Sequence, residues 1–600
     1  GALIDNAKTE KADRIKALVP KVAPERVVGL TFTNKAAGEL AHRITSMLRT
    51  AGLAVHDEPR VSTYHAFAGR LVTDHGLRLG LEPRSRLLAD ATRFQLAARV
   101  LRRRRGPLPD LTGPFTDLVG KLVALESELS EHLVDPSALQ AWDAEWAEQL
   151  TLAIASFEGG KGVKGHVGEL EKMLLAARRR QQLAEVVTEY RRAKRELDAL
   201  DFGDQVAFAA RLAETLPEVG AAERAEADVV LLDEYQDTSV AQRRLLVGLY
   251  GGGHPVTAVG DPCQAIYGWR GASVSNLDDF ATHFPDTTGR AAARYSLAVN
   301  QRSGGRLLRL ANTVSAALRG RHDVVELAPP ADKAHLGAVR VALHEAWSDE
   351  VAWVAEEVRR AHTNGTAWEQ IAVLVRARKD FAPLHAALTD AGVPVEVVGL
   401  GGLLALPEVA DVVATLEVVE EPTANAALVR LLTGPRWRLG PRDLAQLGRR
   451  GRALLRTGVG APESEVEALE RAVEGSDPCD VVSLSDALER PGDHGWSPEG
   501  LARVRALAAE LRLLRAHRDE PLLDLVHRVI EVTGLDVELA ASPEAVAARR
   551  REALASFLDV VAGFTDLDGE TSLTSFLAFL RAADEHERGL DTTAPTGGSA

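Results

Sequence analysis

Leu231-Leu232-Asp233-Glu234-Tyr235-Gln236-Asp237-Thr238 is the stretch on which the fold turns. The run ahead of it, Asp228-Val229-Val230-Leu231-Leu232, is apolar enough for a strand buried on both faces, as parallel strands are. Two adjacent acids at the exit of such a strand are costly to bury unless a metal ion or a hydrogen-bond network compensates them. In a nucleotide hydrolase the first acid, Asp233, would hold Mg2+, and the second, Glu234, would polarise the attacking water. For this pair taken alone a solvated strand end is the alternative, since acids are common where loops begin.

Two other short apolar runs end in the same manner. One is Arg26-Val27-Val28-Gly29-Leu30-Thr31-Phe32-Thr33, and the other is Pro255-Val256-Thr257-Ala258-Val259-Gly260-Asp261. Strands whose carboxyl ends carry polar clusters are the signature of an open α/β sheet with its site along one edge. The third run continues as Pro262-Cys263-Gln264-Ala265-Ile266-Tyr267-Gly268-Trp269-Arg270-Gly271-Ala272. The amide of Gln264 suits the sensing of a terminal phosphate, while Tyr267 and Trp269 offer flat faces for unpaired bases, at ~1–3 kcal/mol per stacked base. A core tryptophan beside a local turn is the alternative for this cluster.

Asp233-Glu234-x-Gln236-Asp237, followed by Gly260-Asp261-x-x-Gln264-x-Ile266-Tyr267-x-Trp269-Arg270-Gly271-Ala272, resembles motifs II and III of the UvrD/Rep/PcrA helicases of superfamily one. Thr31-Phe32-Thr33-Asn34-Lys35-Ala36-Ala37, with Glu39 and Arg43, looks like motif Ia, and Ser62-Thr63-Tyr64-His65-Ala66-Phe67 looks like motif Ib. Asn300-Gln301-Arg302-Ser303 stands where the family has motif IV. The resemblance implies an α/β fold with two RecA-like parallel-sheet motor domains, each carrying a mainly helical insertion. It implies an ATP-dependent 3′-to-5′ DNA helicase of DNA repair and recombination, with ATP and Mg2+ as cofactors and single-stranded or duplex-end DNA as partner.

Residue by residue, the resemblance gives Asp233 to Mg2+, Glu234 to the general base, Gln264 to the γ-phosphate and Arg302 to ATP as an arginine finger. It gives Phe32, Thr33, Asn34, Lys35, Thr63, His65, Tyr267, Trp269 and Arg270 to DNA. Hydroxyls, amides and aromatics at strand ends are also what a sequence-independent grip on one strand needs. Phosphate contact is the better reading of Lys35, whereas for His65 a satisfied, partly buried histidine weighs equally with a DNA role. Within the family, Val397 to Leu400, Gly434 to Gly440 and Glu585 to Asp591 resemble the actinobacterial AdnB-like helicases. That likeness makes an AdnA-like motor–nuclease subunit a candidate heterodimer partner; a solitary PcrA-type repair helicase is the other candidate.

The P-loop position departs from the pattern. A P-loop needs glycines so that backbone N–H groups can wrap phosphates, with Lys on the β/γ oxygens and Ser/Thr on Mg2+. Lys8 and Thr9 have the right order and place for ATP and Mg2+, but Ala2 and Ala7 occupy the glycine positions and Asp5 would face the phosphates. A helix start with an incidental Lys-Thr is the stronger reading. Neither motif V nor motif VI occurs before Ala600, so the expectation is a helicase fragment that opens and closes inside the motor, its second motor domain incomplete. On that ground a non-catalytic DNA-binding or partner subunit is the alternative function.

The expected organisation is motor domain 1A at 1–80 and 203–290, helical insertion 1B at 81–202, the first part of motor domain 2A at 291–403, helical insertion 2B at 404–590, and a linker at 591–600. Gly337 to Leu343 and Ile371 to Arg376 are the strands expected in the second motor half. The 600 residues match about four domains at roughly 150 residues each. A net charge of −15 argues against a protein that coats nucleic acid by bulk charge, though it permits a local basic groove. Cys263 and Cys479 make no disulfide framework, and no apolar run reaches the ~18 residues of a membrane span. A cytoplasmic protein without membrane attachment is expected.

Overall fold

Valine and leucine dominate the three strand-forming runs, and burial on both faces drives them side by side in parallel. The computed structural model describes residues 23–50, 59–82, 85–88, 90–157, 164–377, 380–395, 403–404, 406–456, 482–541, 544–564 and 571–586. The chain divides into two compact units, residues 1–89 with 93–342, and residues 90–92 with 343–600.

In the first unit the strands are β1 (Val27–Thr31), β2 (Arg60–Thr63), β3 (Arg86–Leu87), β4 (Ala199–Leu200), β5 (Val229–Leu232) and β6 (Val256–Ala258). One sheet has the order β2-β1-β5-β6, with every pairing parallel, while β3 and β4 pair separately, also in parallel. The register sets Thr31 beside Thr63, Leu30 beside Leu232, and Leu232 beside Ala258. All four strands therefore end along one edge, where the polar clusters follow.

Val28, Leu30, Val230 and Leu232 are buried in the sheet, against Phe67 and Leu71 of helix Tyr64–His75, Val206 and Leu212 of helix Phe202–Thr215, and Leu245 and Leu249 of helix Val240–Tyr250. Two of these helices begin with reciprocal capping boxes, Asp201 with Asp204 and Ser239 with Gln242, which satisfy first-turn N–H groups.

The helical stretch expected between the first and second motifs is present, with helices Phe115–Glu131, Pro136–Ser156 and the 33-residue Lys164–Glu196. It returns to the sheet through a buried ionic cluster. Lys194 Nζ lies 3.0 Å from Glu126 Oε1, 3.0 Å from Asp201 Oδ2 and 2.7 Å from Asp204 Oδ2, and Arg93 Nε lies 3.1 Å from Asp201 Oδ2. Arg191 Nε stands 3.4 Å from Glu126 Oε1, so three carboxylates face three cations. The three carboxylates converge closely enough to hold a metal ion, and the Lys194 ammonium fills that place. Burial pushes Asp201 up, but Arg93 and Lys194 outweigh it and hold its carboxyl well below the usual range. Burial together with Asp201 pushes Asp204 up to about 7.

The second unit is helical among its described residues. Helices Trp347–Thr363 and Phe381–Asp390 share a small core of Ala355, Val358, Leu388 and Val393. A larger core built on Leu416, Leu428, Leu511, Val526, Phe557 and Phe576 joins the helices that run from Pro407 to His586.

Here the structure departs from expectation. Gly337 to Leu343 and Ile371 to Arg376 form no paired strand, and among the described residues 291–395 the one β-pairing is an isolated parallel bridge, Val299 to Ala328. A strand needs a neighbour to take its N–H and C=O groups. Val341, Leu343 and Leu374 are 90%, 98% and 92% exposed, so these apolar runs have the composition of buried strands without the partners. Among the described residues no helix is long and apolar enough to cross a membrane.

Candidate active site

Backbone bonds to both neighbouring strands fix the acidic turn after β5. The Asp233 N–H donates to Leu30 C=O at 2.8 Å, the Tyr235 N–H to Val259 C=O at 3.0 Å, and the Tyr64 hydroxyl to Asp233 C=O at 3.0 Å. Glu234 is held at φ 50° and ψ 40°, a left-handed conformation that is uncommon for a residue with a side chain and is found at functional turns. The conformation turns the chain so that Glu234 and the buried Gln236 meet. Gln236 Nε2 donates to Glu234 Oε2 at 2.8 Å and to Asp237 Oδ2 at 3.1 Å.

The same glutamine reaches the next strand. Its Oε1 accepts the N–H of Asp261 at 3.1 Å, and a Cβ on Gly260 would lie 2.6 Å from that oxygen, so a side chain at 260 would break the bridge. Asp261 passes the connection on: Oδ1 accepts the Cys263 N–H at 2.9 Å, and Oδ2 accepts from Gln264 Nε2 at 2.8 Å. A continuous path of hydrogen bonds, through the backbone N–H of Asp261, thus joins Glu234 to Gln264. Burial pushes the Asp237 carboxyl up, and the N–H groups of Ile266 and Tyr267 hold it down, which ties the acidic turn to the aromatic loop.

That loop carries a row of rings. Phe32, just past β1, stacks on Tyr267 with centroids 4.4 Å apart and planes 27° apart. Trp269 is 6.3 Å from Tyr267, and the Arg270 guanidinium lies 5.3 Å from the Trp269 ring. Trp269 is 47% exposed.

The other expected contacts are distributed around this core. The Thr33 hydroxyl accepts the Ala36 N–H at 3.1 Å and starts helix Asn34–Thr50, whose first turn holds Asn34 and an exposed Lys35. Thr63 is buried, its hydroxyl accepting the Ala66 N–H at 3.1 Å, so it acts as a helix cap behind the surface. His65 stands edge-on to Phe202, with centroids 5.8 Å apart. Arg302 is exposed in a turn whose N–H groups at 302 and 303 both donate to Asn300 Oδ1, at 3.0 and 2.8 Å. Among the described residues no hydrogen bond or ion pair joins Arg302 to the acidic turn, although the helix that follows it, Gly305–His322, packs against the turn Pro262–Gln264. Lys8 and Thr9 lie outside the described residues.

Sequence reasoning passed over three residues that the geometry brings in. Gln236 was visible in the Asp-Glu-x-Gln spacing, but its role as a bridge depends on β6 lying next to β5. Tyr64 supports Asp233 from the end of β2, reaching across β1. Phe202, 37% exposed beside His65, follows a capping aspartate, and an exposed aromatic at a helix start was the signal available.

Asp233 and Glu234 suit a hard divalent cation. Both are carboxylates, neither has an ion-pair partner among the described residues, and burial followed by the charge of Glu234 pushes Asp233 up, with Arg43 drawing it down. A cation beside Asp233 would relieve that repulsion.

Comparison with known proteins agrees with this geometry. A family model of the UvrD/REP helicase N-terminal domain matches residues 12–285, and one of the UvrD-like helicase C-terminal domain matches residues 295–456. Together they span well over half of the chain, which belongs to the UvrD/Rep family of superfamily-one helicases. The ATP-dependent DNA helicase UvrD1 of Mycobacterium tuberculosis (strain ATCC 25618 / H37Rv) is 28% identical over 557 residues, 91% of this chain and 63% of the relative. The ATP-dependent DNA helicase PcrA of Bacillus subtilis (strain 168) is 24% identical over 563 residues, 93% of this chain and 66% of the relative. The chain therefore spans somewhat under two thirds of the length of these curated relatives.

Proposed function

We propose that this chain is the motor part of an ATP-dependent DNA helicase that moves 3′ to 5′ along single-stranded DNA and serves DNA repair and recombination in the cytoplasm. The observation that carries the proposal is the path Glu234–Gln236–Asp261–Gln264, which runs from the acidic turn to the loop bearing Tyr267, Trp269 and Arg270. Such a path lets a change at a terminal phosphate reach the rings that would hold bases.

Asp233 would hold Mg2+, together with Thr9, and the ion would neutralise charge on the phosphates of ATP. Glu234 takes a proton from the attacking water, and its hydrogen bond from Gln236 fixes the carboxylate in position for that transfer. Gln264 offers its amide to the γ-phosphate, and Arg302 and Lys8 supply positive charge. Phe32, Tyr267 and Trp269 stack bases, while Thr33, Asn34, Lys35, His65 and Arg270 hold the backbone around them and Thr63 caps the helix behind them. The AdnB-like likeness supports a heterodimer with an AdnA-like motor–nuclease subunit.

The test is Glu234→Gln. DNA-stimulated ATP hydrolysis should fall by about 100-fold or more, the usual contribution of a general base, while nucleotide binding persists. Turnover retained in the variant would remove Glu234 from the chemistry. No nucleotide affinity in the unaltered chain would assign it instead to a non-catalytic DNA-binding subunit.

A further inference from the structure

The last turn of helix Phe115–Glu131 lies against the DNA-binding loop. The turn that follows Trp269 and Arg270 ends at Gly271, φ 80°, where a Cβ would sit 2.6 Å from the Cβ of Glu131. That glycine is needed twice, for the left-handed backbone and for the close approach. The Ser239 hydroxyl accepts the Gln242 N–H at 3.2 Å and donates to the Glu131 carboxyl, whose Oε2 is buried without a hydrogen-bond partner. Ser239 in turn bridges to Ala272, and the Ser273 N–H donates to Thr238 C=O at 2.9 Å. One carboxyl therefore touches the end of the acidic motif and the end of the aromatic loop together.

The other end of this contact is firm. Five residues earlier on the same helix, Glu126 is buried in the Lys194 cluster, so the helix cannot slide past helices Asp90–Arg103 and Lys164–Glu196 without opening three ion pairs. The groups that face Glu131 from the elements packed on it are Ser239 ahead of helix Val240–Tyr250, Arg270 in the aromatic loop, Asp201 ahead of helix Phe202–Thr215, and Arg93.

We propose that Glu131 is a positioning residue through which the helical insertion sets the place of Trp269 and Arg270, its carboxyl competing with DNA phosphate for the Arg270 guanidinium when ionised. The inference rests on the DNA-binding reading of that loop. Burial pushes the carboxyl up to about 7, Arg270 and Arg93 oppose this, and Asp201 adds to it, so its charge changes within the range of ordinary buffers.

The experiment uses the full chain with Glu131→Gln and Glu131→Ala. Affinity for a fluorescein-labelled oligo-dT is measured from pH 6 to 8.5, beside amide hydrogen exchange of the peptide spanning 265–273. The unaltered chain should lose affinity across that range by about threefold more than Glu131→Gln does, the size of one partly screened charge contact. The difference between the two proteins is what is read, because every other titrating group is common to both. Glu131→Ala should speed exchange in 265–273, and Glu131→Gln should restore protection. Identical pH profiles for the unaltered chain and Glu131→Gln, or unchanged exchange in Glu131→Ala, would overturn the proposal. If the unaltered chain binds no oligo-dT, the DNA reading fails, while hydrogen exchange still decides whether Glu131 positions the loop.

Discussion

Replacing Gln236 with leucine removes the bridge between the two motifs while nearly preserving volume. Gln236 is buried, and its amide gives two hydrogen bonds to carboxylates and takes one from a backbone N–H. Hydrogen bonds to charged groups contribute about 1.5–3 kcal/mol each, and neutral ones about 1. Glu234 can turn to water in the variant, but the buried Asp237 and the Asp261 N–H lose a partner each, so the net loss should be about 2.5–4 kcal/mol. For a unit of this size, with an unfolding entropy of about 2.1 cal/mol/K per residue, that lowers the thermal midpoint by roughly 4–6 °C.

The functional consequence is separable from the stability loss. In Gln236→Leu the proposed general base, Glu234, and Gln264 remain, yet the path between them is cut. ATP turnover without DNA should survive in part at a temperature well below the new midpoint, while its stimulation by single-stranded DNA should collapse. The assay is the ratio of turnover with and without oligo-dT. A variant that keeps both the midpoint and the ratio of the unaltered chain would refute the bridge, and a lowered midpoint with an unchanged ratio would make Gln236 structural only.

Two further outcomes follow from the charges. Lys194→Met strips the ammonium from three buried carboxylates, and breaking a buried pair from one side costs about 3–5 kcal/mol. Asp204 already sits at about 7 in the folded protein, above its ordinary value, so the fold favours the protonated acid. The variant should therefore be least stable near pH 8 and recover as pH falls toward 5.5; thermal midpoints at the two pH values check this, and a loss equal at both would refute it. Arg43→Ala removes the positive charge that draws Asp233 down, so the acid limb of ATP turnover should move to higher pH. A pH–rate profile measures this, and an unmoved limb would separate Asp233 from the rate.

What could be read in advance was what one strand and its exit display. The runs 26–33, 228–234 and 255–261 contain β1, β5 and β6, and the acids, Gln264 and the aromatics could be read because polar and ring-bearing residues at the exit of buried strands have few structural uses. The expected strands after Gly337 and Ile371 had the same composition and did not pair. An apolar run states that it can be buried, but the neighbour that buries it must come from elsewhere. Lys194 shows a further limit, because a lysine on a charged helix reads as solvated until Glu126, Asp201 and Asp204 arrive from other segments.

The same limit explains why Gln236 escaped notice while Asp233 and Glu234 did not. Acids that bind a cation do so with their own chemistry, and residue type announces it. A bridging amide has no such chemistry; its meaning comes from the register Leu232 to Ala258, which sets the end of β6 beside the acidic turn, and from Gly260, which leaves room for the amide oxygen. On the proposed function, coupling between a nucleotide and DNA would thus be carried by residues whose identity is ordinary and whose placement is not. Gly260→Ala would test this most directly, since it alters no functional group: the added carbon, 2.6 Å from Gln236 Oε1, should reproduce the lost DNA stimulation of Gln236→Leu with Gln236 still in place.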